Sequence, residues 1–168
     1  SVLASYLAPQ KDVKMPQMPE AVIYPFGLNQ SQKLAVERAL SSKISIIQGP
    51  PGTGKTQTIL NIIANVVRSG KNVAVVSNNN SATHNVEEKL EKKNAAFLTA
   101  FLGSLANKQK FLEAQTGVYP NMSAWEMPPE ERQQLDQETT ALSKELNEML
   151  NAKNRIAENL LTQTGKKR

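Results

Sequence analysis

The spacing of apolar positions changes along the chain, and each change marks an element. The first 27 residues carry Pro9, Pro16, Pro19 and Pro25, and proline removes a backbone donor and breaks helices. Residues 1–8 can form a short helix; residues 9–27 read as an extended arm pinned by Met15, Met18, Tyr24 and Phe26. Residues 28–40 predict a helix with Asn29 or Ser31 as N-cap. Ile44-Ser45-Ile46-Ile47 is apolar and β-branched, the pattern of a buried parallel strand. Between residues 57 and 68, apolar side chains at 59, 62, 63, 66 and 67 draw one stripe along a helix, which Gly70 closes.

Residues 73–77 predict a second strand, 78–81 a polar loop, 82–93 a helix and 97–102 a third strand. This β-α-β-α-β order predicts an α/β fold with a parallel sheet and right-handed crossovers. Residues 103–115 then read as a short helix and 117–129 as a loop rich in turn residues. Residues 130–164 contain neither proline nor glycine, and Leu135, Leu142, Met149 and Ile156 recur every seven residues. Leu146 and Leu160 share the companion heptad position with Thr139 and Lys153. The pattern predicts one long amphipathic helix with a coiled-coil-like seam. Its first half suits packing on a domain as well as projection; the length of its second half reads as a stalk.

Composition narrows the picture modestly. The 168 residues are 39% hydrophobic and 21% charged, a little below globular averages, so part of the chain is expected to be elongated and solvated. A net charge of +5 and a pI near 9.5 are compatible with nucleic acid without requiring it. With no cysteine and a single histidine, His84, disulfides, thiol chemistry and a histidine-cluster metal site are excluded. No apolar run reaches membrane-spanning length and no signal pattern opens the chain, so a soluble, intracellular (cytoplasmic) protein is expected.

The candidate chemistry sits between the first strand and the second helix. Gly49-Pro50-Pro51-Gly52-Thr53-Gly54-Lys55-Thr56 follows the pattern G-x-x-x-x-G-K-T. Glycines let successive N–H groups turn inward around phosphate oxygens, and the helix start adds a positive end. Lys55 supplies a point charge for the β- and γ-phosphates and the Thr56 hydroxyl a ligand for Mg²⁺. A strand before the loop and a helix after it are the context that separates a phosphate loop from an idle glycine turn. The predicted ligands are ATP and Mg²⁺, held by residues 49–56 with Gln57 beside them.

Three motifs in order resemble superfamily I helicases. Leu28-Asn29-x-x-Gln32-x-x-Ala35-Val36 is similar to their Q motif, Gln48 to Thr56 to motif I, and residues 73–86, with Asn80, to motif Ia. Among these enzymes the RNA-surveillance helicase and its 5′-to-3′ DNA and RNA relatives look most similar, over residues 28–90. The resemblance implies a partial RecA-like ATP-binding domain at 28–102, an arm at 1–27 and a helical stalk insertion at 103–168. It implies that Gln32 reads the adenine edge, and that Asn79, Asn80 and Ser81, next to Asn78, face single-stranded DNA or RNA. An exposed helix glutamine and an asparagine-rich turn are the competing readings. His84 falls where these helicases often carry Asp, and it is assigned no chemistry.

Hydrolysis needs an acid on a later strand, yet no Asp or Glu beyond residue 57 follows four apolar residues. The expectation is therefore an N-terminal piece of a helicase that is inactive alone and works with the remaining helicase domains of its parent. Its sheet would keep an open edge, which invites self-association. An AAA+-type ATPase that remodels proteins is the alternative enzyme, and a scaffold with a vestigial loop is the non-enzymatic one.

Overall fold

The structure, a computed structural model, describes residues 16–19, 21–115, 123 and 126–165. Two units divide the chain: one joins the described residues up to Lys71 with those from Pro129, and the other runs from Asn72 to Pro128. The predicted helix at 1–8, the anchor Met15 and most of the loop at 117–129 lie outside the described residues.

In the first unit, α1 spans Gln30–Ser41, α2 Lys55–Arg68 and α5 Pro129–Gly165. The start of α1 is fixed by a reciprocal pair: Asn29 Oδ1 accepts from the Gln32 N–H at 2.9 Å, and Gln32 Oε1 accepts from the Asn29 N–H at 2.8 Å. Helices α1 and α2 pack on each other, with Val36, Leu60 and Ile63 buried. Gly70, at φ +69°, closes α2 as its position after the last turn predicts.

The arm is held by a grip on its backbone as well as by apolar contact, with Tyr24 and Phe26 half-buried. Ala21 and Val22 are buried, whereas the predicted anchor Met18 is exposed. Four polar residues on one face of α2 read the arm in reverse order, as residues three or four apart on a helix share a face. Gln57 Nε2 donates to the Phe26 carbonyl at 3.1 Å. Asn61 accepts from the Phe26 N–H at 3.1 Å and donates to the Gly27 carbonyl at 2.8 Å. Asn65 accepts from the Ile23 N–H at 2.9 Å and donates to the Ile23 carbonyl at 2.7 Å. Arg68 donates to the Ala21 carbonyl at 3.0 Å and pairs with Asp136 of α5 at 2.7 Å. An extended segment must place its backbone polar groups somewhere; here side-chain amides take the part that a neighbouring strand plays in a sheet.

Helix α5 rests on this arm, where Ser143 Oγ donates to the Val22 carbonyl at 3.3 Å. Its half-buried residues include Thr139, Ser143, Leu146 and Leu150, while Leu135, Leu142, Met149 and Ile156 are exposed. Of the heptad seam read from the sequence, the companion positions Thr139 and Leu146 lie on the packed face, while Leu135, Leu142, Met149, Ile156 and Leu160 are open.

In the second unit, α3 spans Asn80–Glu91 and α4 Leu105–Ala114, with a 3₁₀ turn at Ala96–Leu98 packed on α3. Val86 and Leu90 of α3 are buried. Ser104 caps α4 by accepting from the Asn107 N–H at 3.1 Å.

The sheet departs from the sequence expectation. Among the described residues there is no strand: 44–47 and 73–77 lack regular structure, and Phe97 and Leu98 belong to the 3₁₀ turn. Ile46 is 81% exposed and Val76 90%. A β-branched run becomes a strand only by pairing with a neighbour, and these runs find none among the described residues. The stripe on α2 is affected in the same way, with Ile63 buried but Ile59 and Val67 exposed. Among the described residues, no helix is long and apolar enough to cross a membrane.

Candidate nucleotide-binding site

The loop of residues 49–54 folds back on itself before α2 begins. Thr53 Oγ1 donates to the Pro50 carbonyl at 2.8 Å, which tightens the turn. Gly52 and Gly54 adopt φ of +82° and +81°, a region that side chains disfavour. Lys55, the first residue of α2, folds its ammonium over the loop, where Nζ donates to the carbonyls of Gly49 at 2.5 Å and Pro50 at 2.8 Å. Thr56 is half-buried at the second helical position, and Gln57 is exposed at the third.

The start of α2 differs from those of α1, α3 and α4. Asn29, Asn79 and Ser104 cap those helices with side-chain oxygens, whereas at Gly54 no side chain caps α2; as in the other three, no acid stands in its first turn. The first backbone N–H groups of a helix need an acceptor, and the positive end of its dipole suits an anion. Donors without a competing carboxylate, a lysine at the rim and glycines that permit close approach form a donor set that fits a polyphosphate.

Gln32 bridges α1 to this loop. It is buried, and its Nε2 reaches the Gly54 carbonyl at 3.2 Å, Gln57 Oε1 at 3.2 Å and the Thr53 carbonyl at 3.4 Å. A β-carbon on Gly54 would stand 1.9 Å from that nitrogen, so the contact depends on glycine. Sequence reasoning brought Gln32 and residues 49–57 to one place, and the structure puts them together. It missed Asn61, Asn65 and Arg68, which hold the arm beside the loop. Their signal was present: Asn61 and Asn65 are polar residues four apart inside a helix with an apolar stripe, and they are 0% and 2% exposed.

Near the arm, burial and then the charge of Glu37 push the Tyr24 hydroxyl well above the usual tyrosine range. That hydroxyl has no hydrogen-bond partner among the described residues. Glu37 is itself paired with Lys33 at 2.6 Å.

The candidate nucleic-acid residues lie in the second unit, at the start of α3. Asn79 caps the helix, its Oδ1 accepting from the Ser81 N–H at 2.9 Å and from Ser81 Oγ at 2.8 Å. Asn78 and Asn80 are exposed. His84 lies on the exposed face of α3, 3.1 Å from Glu87 and 3.6 Å from Glu88.

Loop, lysine and uncapped helix together define a nucleotide-binding module of the P-loop NTPase class. The comparisons give its family: residues 27–168 match the AAA domain family, and the chain belongs to it. An uncharacterised ATP-dependent helicase of Methanocaldococcus jannaschii is 47% identical over 72 residues, which are 42% of this chain and 11% of that protein. The DNA-binding protein SMUBP-2 of Rattus norvegicus is 43% identical over 75 residues, 44% of this chain and 8% of its own length. The regulator of nonsense transcripts 1 homolog of Drosophila melanogaster is 44% identical over 68 residues, covering 40% and 6%. The resemblance to superfamily I helicases of the RNA-surveillance type holds, and the protein-remodelling alternative is not favoured. The chain spans only a small part, 6% to 11%, of the length of these relatives. No solved structure matches it.

Proposed function

We propose that this chain is the ATP-binding N-terminal part of a helicase motor that acts on single-stranded DNA or RNA. The observation that carries the reading is the pairing of Lys55 with an uncapped start of α2 across a loop in which Gly52 and Gly54 take positive φ. Lys55 would exchange the carbonyls of Gly49 and Pro50 for phosphate oxygens, and the N–H groups of the loop and of the first turn of α2 would surround the same anion. Thr56 is the residue that would hold Mg²⁺, which when bound neutralises charge between the phosphates. Gln32 would meet the adenine edge. Asn79, Asn80 and Ser81 would contact the nucleic-acid backbone, with Asn79 doing so through its Nδ2 donors, since its oxygen already accepts from the Ser81 N–H and Oγ.

On this reading residues 28–102 belong to a RecA-like domain whose parallel sheet is completed by further strands, and the long helix is a stalk. Hydrolysis falls to the parent chain, whose other domains bring the missing acid and the second half of the ATP site. Support comes from the helicase named among the relatives and from the order of the three motifs. The test is calorimetric titration with a non-hydrolysable ATP analogue and Mg²⁺. Lys55→Ala should weaken binding at least about tenfold, as loss of a charge-assisted contact to phosphate does. Equal affinity in both proteins would overturn the proposal.

A further inference from the structure

We infer that Gln57 sets the base preference of this site by fixing which hydrogen-bonding groups Gln32 can show to a ligand. The inference rests on the nucleotide reading and deepens it. A primary amide has two N–H donors and an oxygen with two lone pairs. In Gln32 these are nearly used up within the protein. One Nε2 hydrogen serves the Gly54 carbonyl at 3.2 Å, with the Thr53 carbonyl at 3.4 Å beside it. The other serves Gln57 Oε1 at 3.2 Å. One Oε1 lone pair takes the Asn29 N–H at 2.8 Å. A single acceptor lone pair remains.

Gln57 cannot easily reverse its own amide, because its Nε2 donates to the Phe26 carbonyl at 3.1 Å. That bond turns the Gln57 oxygen toward Gln32. The arm matters here as well, since Asn61 holds the Phe26 N–H and the Gly27 carbonyl, and so fixes the carbonyl that orients Gln57. A Gln32 with only an acceptor to offer recognises a base edge that donates. The exocyclic amine of adenine does so; the carbonyl of guanine or hypoxanthine at the same ring position presents an oxygen instead and is repelled. Gln57 is therefore a positioning residue that acts through Gln32, and the site selects a nucleoside triphosphate whose base carries an amine at the ring position where guanine and hypoxanthine carry a carbonyl.

The experiment compares the full chain with Gln57→Met, which keeps the length and removes both polar groups. Affinities are measured for ATP, for inosine triphosphate and for tripolyphosphate, each with Mg²⁺. Wild type should prefer ATP over inosine triphosphate. In Gln57→Met the freed Gln32 hydrogen can donate to the hypoxanthine carbonyl, so the preference should shrink about tenfold. Hydrogen exchange separates this from a loose arm: the Ile23 and Phe26 amides, held by Asn65 and Asn61, should stay protected in the variant. An unchanged ATP-to-inosine ratio would overturn the inference, as would equal wild-type affinities for the two nucleotides. A ratio that falls only together with arm protection would overturn it too. If wild type fails to bind even tripolyphosphate, the nucleotide reading itself fails, and that result is distinct from every other.

Discussion

Gly54 shows how one residue can serve conformation and contact together. Its φ of +81° is unfavourable for any side chain, and a β-carbon there would also meet Gln32 Nε2 at 1.9 Å. Gly52 has nearly the same φ, +82°, but nothing within 4 Å of the corresponding position. The pair separates the two effects. Gly52→Ala should lose only the left-handed conformation, roughly 1–2 kcal/mol. Gly54→Ala should lose that and also drive Gln32 from its carbonyl partners, roughly 2–4 kcal/mol in all. Urea unfolding of both variants checks the order. Equal midpoints would mean that Gln32 is not braced against the loop. The glycines were legible from the G-x-x-x-x-G-K-T spacing, but Gln32's bracing role was not, because it depends on which carbonyls the fold brings to the amide.

At the scale of elements, what the sequence revealed and what it hid follow from the range of the interactions. Helix α2, its closing glycine, the cap of α1 and the length of α5 are set within a few residues, and the sequence showed them. The strands are set by partners far along a chain, and 44–47 and 73–77 are extended at most without them. The arm falls between these cases. Its prolines announced extension, but Met18, expected as an apolar anchor, is exposed, and the polar face of α2 takes the arm's backbone while Phe26 is half-buried. Asn61 carries the decisive test, since its amide is wholly buried and serves two backbone groups. Asn61→Ala would leave the Phe26 N–H and the Gly27 carbonyl without their partner, at about 1–3 kcal/mol for each group that water cannot reach. The expected result is a large fall in thermal stability together with rapid exchange of the Phe26 amide. Retained protection at Phe26 would show that the arm docks by other means.

The whole molecule carries apolar surface that neither unit buries. Ile44 and Ile46 are exposed ahead of the P-loop in the first unit, and Val73, Val75 and Val76 in the second. Single exposed apolar side chains are ordinary, but runs of β-branched residues with unpaired backbone are templates for another strand. Repulsion from a net charge of +5 opposes association at low salt and is screened as salt rises. The chain should therefore associate with itself as concentration and ionic strength increase, and light scattering across both should show mass above the monomer. Ile46→Lys and Val76→Lys put a charge into each run without touching the residues of the nucleotide site, and each should return mass toward the monomer. A clean monomer at high salt and millimolar concentration would show instead that these runs are protected by the two units themselves. The same variants then distinguish their roles, because a run that serves only as a sheet edge can accept lysine without loss of nucleotide affinity, whereas one that supports the loop cannot.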